Sequence, residues 1–311
     1  MIHYEKATCP TIYFIGVTTE KSSIMKVFPK WADALGLKNT VIKGIDFAPH
    51  SPAADYRNAV EFIKNDPLSL GALVTTHKID LFNTCKDMFD YVDPFAEKLG
   101  EVSSISKKDG KYCAHAKDPI SSGLALENFV PANFWTDYDG DVLLIGAGGS
   151  SLAMSVYFAQ EKFGNNVPKK IIIANRSVPR LESAKKILEG INSKINFEFI
   201  HTPSPADNDK VLASLKPHSL VVNATGLGKD GPGSPLTDNC VFPKDSLVWE
   251  INYRGNLIFM EQALKQKDSR NLHVEDGWIY FIHGWTQVIA EVFHISIEGE
   301  LLQKLSDIAK Q

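Results

Sequence analysis

The stretch from residue 141 to residue 158, DVLLIGAGGSSLAMSVYF, constrains the fold of this chain more than any other. A short apolar run, Val142 to Ile145, has the length of a buried strand, and a helical pattern begins at Ser151. The turn between them consists of Gly146, Ala147, Gly148, Gly149, Ser150 and Ser151. Glycine lets a backbone approach a phosphate group closely, and the N–H groups that open the next helix attract an anion. The pattern predicts a dinucleotide-binding turn, although by itself it is also typical of an ordinary strand-to-helix turn.

The next buried strand indicates which dinucleotide is bound. Ile171 to Ala174 lies at the distance from the glycine turn that a βαβ unit requires. Where an acidic residue would bind the adenosine 2′-hydroxyl of NAD, the chain has Asn175, Arg176 and Ser177, with Arg180 one turn later. A cation and a hydroxyl suit a 2′-phosphate. The sequence therefore predicts NADP, with NAD as the alternative, unless the two arginines are solvated surface residues.

The composition points to a globular protein that binds small molecules. A chain of 311 residues is long enough for about two domains. Hydrophobic residues make up 44% and charged residues 23% of it, and the net charge is −4. This charge disfavours a nucleic-acid surface or a polybasic membrane patch. We expect a small-molecule substrate and neither nucleic acid nor membrane as a partner; the sequence does not decide between a monomer and a homodimer.

The cysteines and the N-terminus indicate the compartment. Cys9, Cys85, Cys113 and Cys240 lie far apart and form neither C-x-x-C pairs nor a cluster with histidine, so we expect free thiols and no metal site. Charged residues interrupt the first six positions, and no apolar run reaches the roughly 20 residues of a membrane span. These features predict a cytoplasmic protein.

Strand-like and helix-like segments alternate along the chain, which is typical of α/β domains with parallel strands. The first part has apolar strand candidates at residues 11–17, 40–47 and 70–76. A second α/β unit follows the connector NFVPANFWTDYDG. We predict two domains: an N-terminal α/β domain at residues 1–120, completed by C-terminal helices at 274–311, and a Rossmann-like domain with a parallel sheet at 121–273.

Several short motifs, in order over nearly the whole chain, resemble those of the shikimate and quinate dehydrogenase family. They are GALVTTHK (residues 71–78), Asp118, GAGGSS (146–151), ANRS (174–177), NATGLG (223–228) and EINY (250–253). The resemblance implies a substrate domain and a nicotinamide domain that catalyse reversible hydride transfer between NADP and a secondary alcohol. It also implies that the nicotinamide lies at Asn223, Ala224 and Thr225.

The resemblance identifies Lys78 as the catalytic lysine and Asp118 as its aspartate partner. This assignment agrees with the chemistry, because a hydroxyl proton must leave when a hydride leaves the alcohol carbon, and an ammonium beside a carboxylate can relay that proton. Without the resemblance, both residues are typical of solvated surface positions.

The substrate-binding positions depart from the family pattern. The resemblance places them at Glu20, Ser22, Thr75, Ser103, Tyr253 and Gln287. Glu20 stands near a serine position that binds a carboxylate in the family, where a second carboxylate would repel the substrate. Ser103 replaces an asparagine, and Gln287 lies about one helical turn too far from Gly277.

Since the cofactor motifs persist while these positions change, we expect hydride chemistry on a different substrate. Other polar residues, among them Lys21, His77 and Lys117, would suit a polyhydroxylated or amine-bearing ring. Two alternatives remain open: authentic shikimate or quinate dehydrogenase, in which another residue compensates for the altered motif, and a non-catalytic regulator that binds the cofactor.

Overall fold

The computed structural model describes residues 3–191, 194–229 and 231–310. The strands are β1 (Thr11–Gly16), β2 (Val41–Asp46), β3 (Ser69–Val74), β4 (Tyr91–Val92), β5 (Ser104–Lys108), β6 (Lys111–His115), β7 (Val142–Ile145), β8 (Lys170–Asn175), β9 (Asn196–His201), β10 (Leu220–Asn223), β11 (Leu247–Glu250) and β12 (His273–Glu275). The α-helices are α1 (Ile24–Ala34), α2 (Ala53–Asn65), α3 (Lys78–Cys85), α4 (Pro94–Leu99), α5 (Asp118–Phe129), α6 (Phe134–Asp137), α7 (Gly149–Phe158), α8 (Val178–Glu189), α9 (Pro205–Ala213), α10 (Ile258–Leu264), α11 (Lys267–Arg270), α12 (Trp278–Phe293) and α13 (Gly299–Ala309).

The chain forms two compact units. The first unit contains Met1–Lys117 and Gly284–Gln311, and the second contains Asp118–His283. The sequence prediction placed these boundaries after residues 120 and 273. Asp118, which that prediction assigned to the N-terminal domain, is therefore the first residue of the second unit.

The first unit is built on a mixed six-stranded sheet in the order β2-β1-β3-β5-β6-β4. Strands β1, β2 and β3 pair in parallel, as the alternating pattern predicts. Strand β5, in a segment for which the sequence predicted no strand, is antiparallel to both β3 and β6. The hairpin turns at Asp109 and Gly110, which both have positive φ (51° and 74°). Such a turn matches the twist of two antiparallel strands.

Helices cover the first sheet with their apolar faces. In α1 the buried residues recur at helical spacing: Ile24, Val27, Phe28, Trp31 and Ala32. The Trp31 indole Nε1 donates a 2.8 Å hydrogen bond to the Leu305 carbonyl oxygen and so joins α1 to α13. In α12, Trp285 packs edge-on against Phe14 of β1, with ring centroids 5.0 Å apart. The aromatic residues Phe281 and Trp285 of this helix are buried.

The second unit contains a fully parallel six-stranded sheet in the order β12-β11-β10-β7-β8-β9. Counted within the unit this is the order 3-2-1-4-5-6 of the Rossmann fold, with the order reversing between β7 and β10. The central strands are buried on both faces and read as continuous apolar runs such as VLLI. The predicted fold class, two α/β domains of which the second is Rossmann-like, is confirmed.

The second unit also brings two helices into close contact. A Cβ atom added to Gly123 of α5 would lie 2.2 Å from the Tyr157 ring of α7, so only glycine allows these helices to approach as they do. The Tyr157 hydroxyl donates a 2.8 Å hydrogen bond to Glu127 of α5. These contacts fix α7, and with it the turn at its N-terminus, against the start of the unit.

Candidate functional site

The glycine turn after β7 is fixed by its neighbours on both sides. Gly146 has φ +119°, and its N–H donates a 2.7 Å hydrogen bond to the Ala174 carbonyl at the end of β8. On the other side, the Ala224 N–H donates a 2.8 Å hydrogen bond to the Ile145 carbonyl. A Cβ atom at position 146 would lie 2.6 Å from the Ala224 carbonyl oxygen. Glycine is therefore required where the carboxyl ends of β7, β8 and β10 converge.

The N-terminus of α7 has no side-chain cap. Gly148 occupies the N-cap position without a side-chain hydrogen bond, and a Cβ atom there would meet nothing within 4 Å. The helix N–H groups consequently remain available for an anion. Ser151 is buried, and its hydroxyl donates a 2.6 Å hydrogen bond to the Gly146 carbonyl, so this side chain closes the turn.

A cavity of about 620 Å³ lies at this end of the second sheet. Nine residues predicted to bind the cofactor line it: Gly146, Ala147, Gly148, Asn175, Arg176, Ser177, Arg180, Ala224 and Thr225. The predicted cofactor residues Gly149, Ser150, Ser151 and Asn223 do not line this cavity. Its position is the crevice at the strand-order reversal, where doubly wound α/β folds bind ligands.

The cavity has an electropositive end beside β8. Arg176 and Arg180 are both exposed and line the cavity, and its described lining contains no carboxylate. The Arg176 main chain is held by His201, whose Nε2–H donates a 3.1 Å hydrogen bond to the Arg176 carbonyl oxygen. The Ser177 N–H donates to the Asn175 Oδ1 at 3.4 Å. Two guanidinium groups without a competing carboxylate favour a phosphate over a neutral hydroxyl.

A buried carboxyl group lies at the ends of β10 and β11. Glu250 is fully buried, and its carboxylate accepts hydrogen bonds from Asn223 and Asn252. Burial raises the pKa of Glu250 to about 7, although these donors act in the opposite direction. Glu250 belongs to the EINY motif, for which the sequence predicted no role of this residue; the available signal was a glutamate that ends the apolar strand LVWE.

In the first unit, Lys78 is placed by the end of β3. It begins α3, its N–H donates a 3.0 Å hydrogen bond to the Thr75 carbonyl, and its carbonyl accepts one of 3.1 Å from the Val102 N–H. The Thr75 hydroxyl donates to the Ile15 carbonyl at 3.3 Å. Lys78 and Thr75 are both half-buried. The backbone around Lys78 is therefore tied to the carboxyl end of β1 and to the segment before β5.

His77 is a structural residue, which corrects the expectation that it contacts a substrate. It is 1% exposed, and both ring nitrogens are engaged. Nε2 lies 3.1 Å from the Gly16 carbonyl oxygen and Nδ1 lies 2.9 Å from the Tyr56 hydroxyl. Because a carbonyl only accepts, the Nε2–H donates to Gly16, and Nδ1 is hydrogen-bonded to the Tyr56 hydroxyl. His77 thus joins β1 to α2 directly behind Lys78.

Ser103 and Lys117 are also engaged within the first unit. Ser103 is 2% exposed, and its hydroxyl oxygen accepts a 2.7 Å hydrogen bond from the Lys117 N–H. The Lys117 ammonium forms an ion pair with Glu291 of α12, and His115 lies 3.3 Å from the same carboxylate. Burial acts to raise the pKa of Glu291, but Lys117 and His115 hold it below the usual value. The Lys117 charge is therefore neutralised inside the unit.

The remaining predicted positions have simple surroundings. Glu20 is exposed in a short 3-10 turn (Thr19–Lys21), and Ser22, which follows it, is half-buried. Gln287 is half-buried on α12. In the second unit the Tyr253 ring packs against Phe281, with centroids 4.4 Å apart. Asp118 begins α5, where its carbonyl accepts a 2.7 Å hydrogen bond from the Ser122 hydroxyl.

No protein-family model matches the chain. It is 25% identical over 238 residues to shikimate dehydrogenase (NADP+) of Streptococcus thermophilus, which covers 75% of this chain and 76% of that protein. Shikimate 5-dehydrogenase of Listeria monocytogenes, solved with shikimate and NAD, has a TM-score of 0.73 at 16% identity and covers 99% of both chains. The ligand-free 5-ketofructose reductase of a Gluconobacter strain has a TM-score of 0.70 at 15% identity, covering 97% of this chain and 98% of that one.

These structural likenesses establish the fold. Within the described ranges, no helix has the length and apolar character needed to cross a bilayer. The ordered motifs, the parallel sheet with its glycine turn and the curated relatives agree: the chain is similar to the shikimate and quinate dehydrogenases.

Proposed function

We propose that this chain is an NADP-dependent oxidoreductase that transfers a hydride reversibly between the nicotinamide and a secondary alcohol or ketone of a cyclic polyhydroxylated compound. The cavity at the strand-order reversal carries this proposal. Three features meet in this one site. They are a turn in which a Cβ atom at Gly146 would clash with Ala224, a helix N-terminus without a side-chain cap, and two arginines. The curated relative is named for NADP, in agreement with this lining.

The arginine-rich end of the cavity supports NADP over NAD. A 2′-phosphate would be bound by Arg176 and Arg180, and the first turn of α7 would bind the pyrophosphate. NAD would leave both guanidinium groups without an anion. We therefore expect NAD to be the weaker cofactor.

We assign the proton transfer to Lys78, with Asp118 as its partner. When bound, NADP supplies the hydride acceptor at the substrate carbon. Oxidation then breaks the C–H and O–H bonds of the alcohol and forms the ketone, and Lys78 accepts the hydroxyl proton; in reduction the ammonium donates it to the new alkoxide. The Lys78 N–H donates to the Thr75 carbonyl and the Lys78 carbonyl accepts from the Val102 N–H, and these two hydrogen bonds hold the start of α3 in place for this role.

We infer that the substrate lacks the carboxylate of shikimate. Glu20 contributes an exposed negative charge beside Ser22, and the Lys117 charge is neutralised by Glu291. These two features weaken the attraction of the first unit for an anion. The 5-ketofructose reductase, which shares the fold, is named for a substrate without a carboxylate. We favour an uncharged or amine-bearing polyhydroxylated ring.

A substrate panel tests this proposal. Cyclic polyols and their ketones, together with shikimate and quinate, are incubated with purified protein and either NADP or NAD, and nicotinamide absorbance is followed. Turnover of an uncharged or amine-bearing ring with NADP is the expected result. Rapid NADP-dependent oxidation of shikimate would instead establish authentic shikimate dehydrogenase, the second candidate, which the name of the curated relative favours. Dinucleotide binding without turnover of any compound would favour a non-catalytic regulator.

A further inference from the structure

A closed hydrogen-bond network surrounds the Glu250 carboxyl group. One oxygen, Oε2, accepts a 2.7 Å hydrogen bond from the Asn223 amide Nδ2. The other, Oε1, accepts from the Asn252 main-chain N–H at 2.9 Å and from its Nδ2 at 2.6 Å. Asn223 and Glu250 are register partners on the parallel strands β10 and β11. All three residues are at least 96% buried, since the most exposed of them, Asn252, is 4% exposed.

The same two asparagines also hold the loop that follows β10. Asn223 Oδ1 accepts hydrogen bonds from Thr225, from its N–H at 3.1 Å and from its hydroxyl at 2.6 Å. Asn252 Nδ2 donates to the Thr225 carbonyl at 3.2 Å and to the Leu227 carbonyl at 3.4 Å. Thr225 and Leu227 both line the dinucleotide cavity. The network therefore connects a carboxyl group outside the cavity lining to the main chain of the cavity wall.

The chemistry of the network requires an acceptor at position 250. In the described part of the chain, the three groups that donate hydrogen bonds to the carboxyl oxygens are all N–H groups. Asn223 cannot turn its amide around, because its Oδ1 is needed by the N–H and the hydroxyl of Thr225. An amide at position 250 would place one donor against another donor, and a buried donor without an acceptor is costly.

We propose that Glu250 is a positioning residue for the dinucleotide: through Asn223 and Asn252 it holds the wall segment 225–227 in the conformation that binds the cofactor. This assignment rests on the proposed function and deepens it. Glu250 does not line the cavity, so its effect reaches the cofactor only through the wall segment. A general loss of packing would instead act on the whole sheet.

The test compares Glu250→Gln with a control just before the same strand. Ser246, which immediately precedes β11, is 1% exposed and accepts a 3.0 Å hydrogen bond from the Ser219 N–H. Ser246→Ala thus disturbs a buried hydrogen bond of the sheet away from the cavity. NADPH affinity is measured by nicotinamide fluorescence, and amide hydrogen exchange is measured for residues 225–229. We expect Glu250→Gln to weaken NADPH binding about tenfold or more, the effect of leaving one buried donor without an acceptor, and to speed exchange in this segment.

The outcomes distinguish failure of the positioning role of Glu250 from failure of the proposed function. Equal NADPH affinity in Glu250→Gln and Ser246→Ala, with wild-type protein binding tightly, overturns the positioning role and leaves the proposed function intact. Wild-type protein that binds no nicotinamide dinucleotide overturns both. If Glu250→Gln does not fold, Asn252→Ala tests the assignment instead, because it removes the side chain that links Glu250 to the Thr225 and Leu227 carbonyls. Unchanged NADPH affinity in Asn252→Ala would refute the positioning role.

Discussion

Gly146 lies against the carbonyl oxygen of Ala224 at a distance that leaves no room for a side chain: a Cβ atom would be 2.6 Å from this oxygen. Gly146 also has φ +119°, a conformation that other residues rarely adopt. Gly146→Ala should therefore lower the free energy of unfolding by about 1–3 kcal/mol through backbone strain. Urea unfolding measures this loss.

A nearby glycine provides the control for this prediction. Gly148 has φ −97°, and a Cβ atom there would meet nothing within 4 Å. Gly148→Ala should leave the free energy of unfolding nearly unchanged. Equal destabilisation by both substitutions would show that the contact with Ala224 does not determine the need for glycine.

Arg176 should determine the preference for NADP. Arg176→Ala removes a charged donor from the end of the cavity that would bind the 2′-phosphate. We expect NADPH affinity to fall about 10- to 100-fold, because removing one hydrogen bond between charged groups weakens binding by about that factor. NADH affinity should change little. Lys185→Ala, at an exposed position on α8, the helix that follows Arg176, should affect neither affinity. Equal loss of NADPH and NADH would contradict the 2′-phosphate assignment.

The central strands of the second unit could be predicted from the sequence because local signals specify them. Val142–Ile145 is an apolar run of strand length that ends at glycine, and the structure has the strand at these bounds. The hairpin of β5 and β6 was not predicted, although its turn carries Asp109-Gly110, a strong local signal for an antiparallel pair. The antiparallel half of the first sheet was therefore missed, while the parallel pairing of β1, β2 and β3 was predicted correctly.

The partners of buried polar groups could not be predicted, because they depend on pairing distant in sequence. Lys117 and Glu291 are 174 positions apart and meet only when α12 packs on the first unit. Glu250 meets Asn223 because the register of β10 and β11 aligns them. A lone histidine such as His77 likewise shows no sign in the sequence that Gly16 and Tyr56 will occupy both of its nitrogens.

Lys78→Ala should strongly reduce turnover while leaving the dinucleotide site unchanged. With the substrate identified by the panel, we expect kcat to fall by about 10²- to 10⁴-fold, the usual contribution of general acid–base catalysis. NADPH affinity should stay constant, because the residues that line the cavity belong to the second unit. Lys86→Ala is the control, since Lys86 pairs with Glu97 on the surface at 2.6 Å. Full activity in Lys78→Ala would refute the proton-transfer role.

Glu250 should make folding stability depend on pH in a defined direction. Burial raises its pKa from 4.5 to about 7 in the folded protein. Between these values the folded state retains a proton that the unfolded state has lost, so the stabilisation is complete below pH 4.5 and disappears as the pH rises through 7. The expected change is on the order of 3 kcal/mol, since one pKa unit corresponds to about 1.4 kcal/mol.

The free energy of unfolding is measured for wild type and Glu250→Gln from pH 5 to pH 8. In the difference between the two proteins, the contributions of the other ionisable groups cancel. Wild type should lose stability relative to Glu250→Gln as the pH rises, because the amide does not ionise. The opposite slope would mean that the three donors outweigh burial and lower the pKa of Glu250. A flat difference would mean that this carboxyl group has the same pKa in both states.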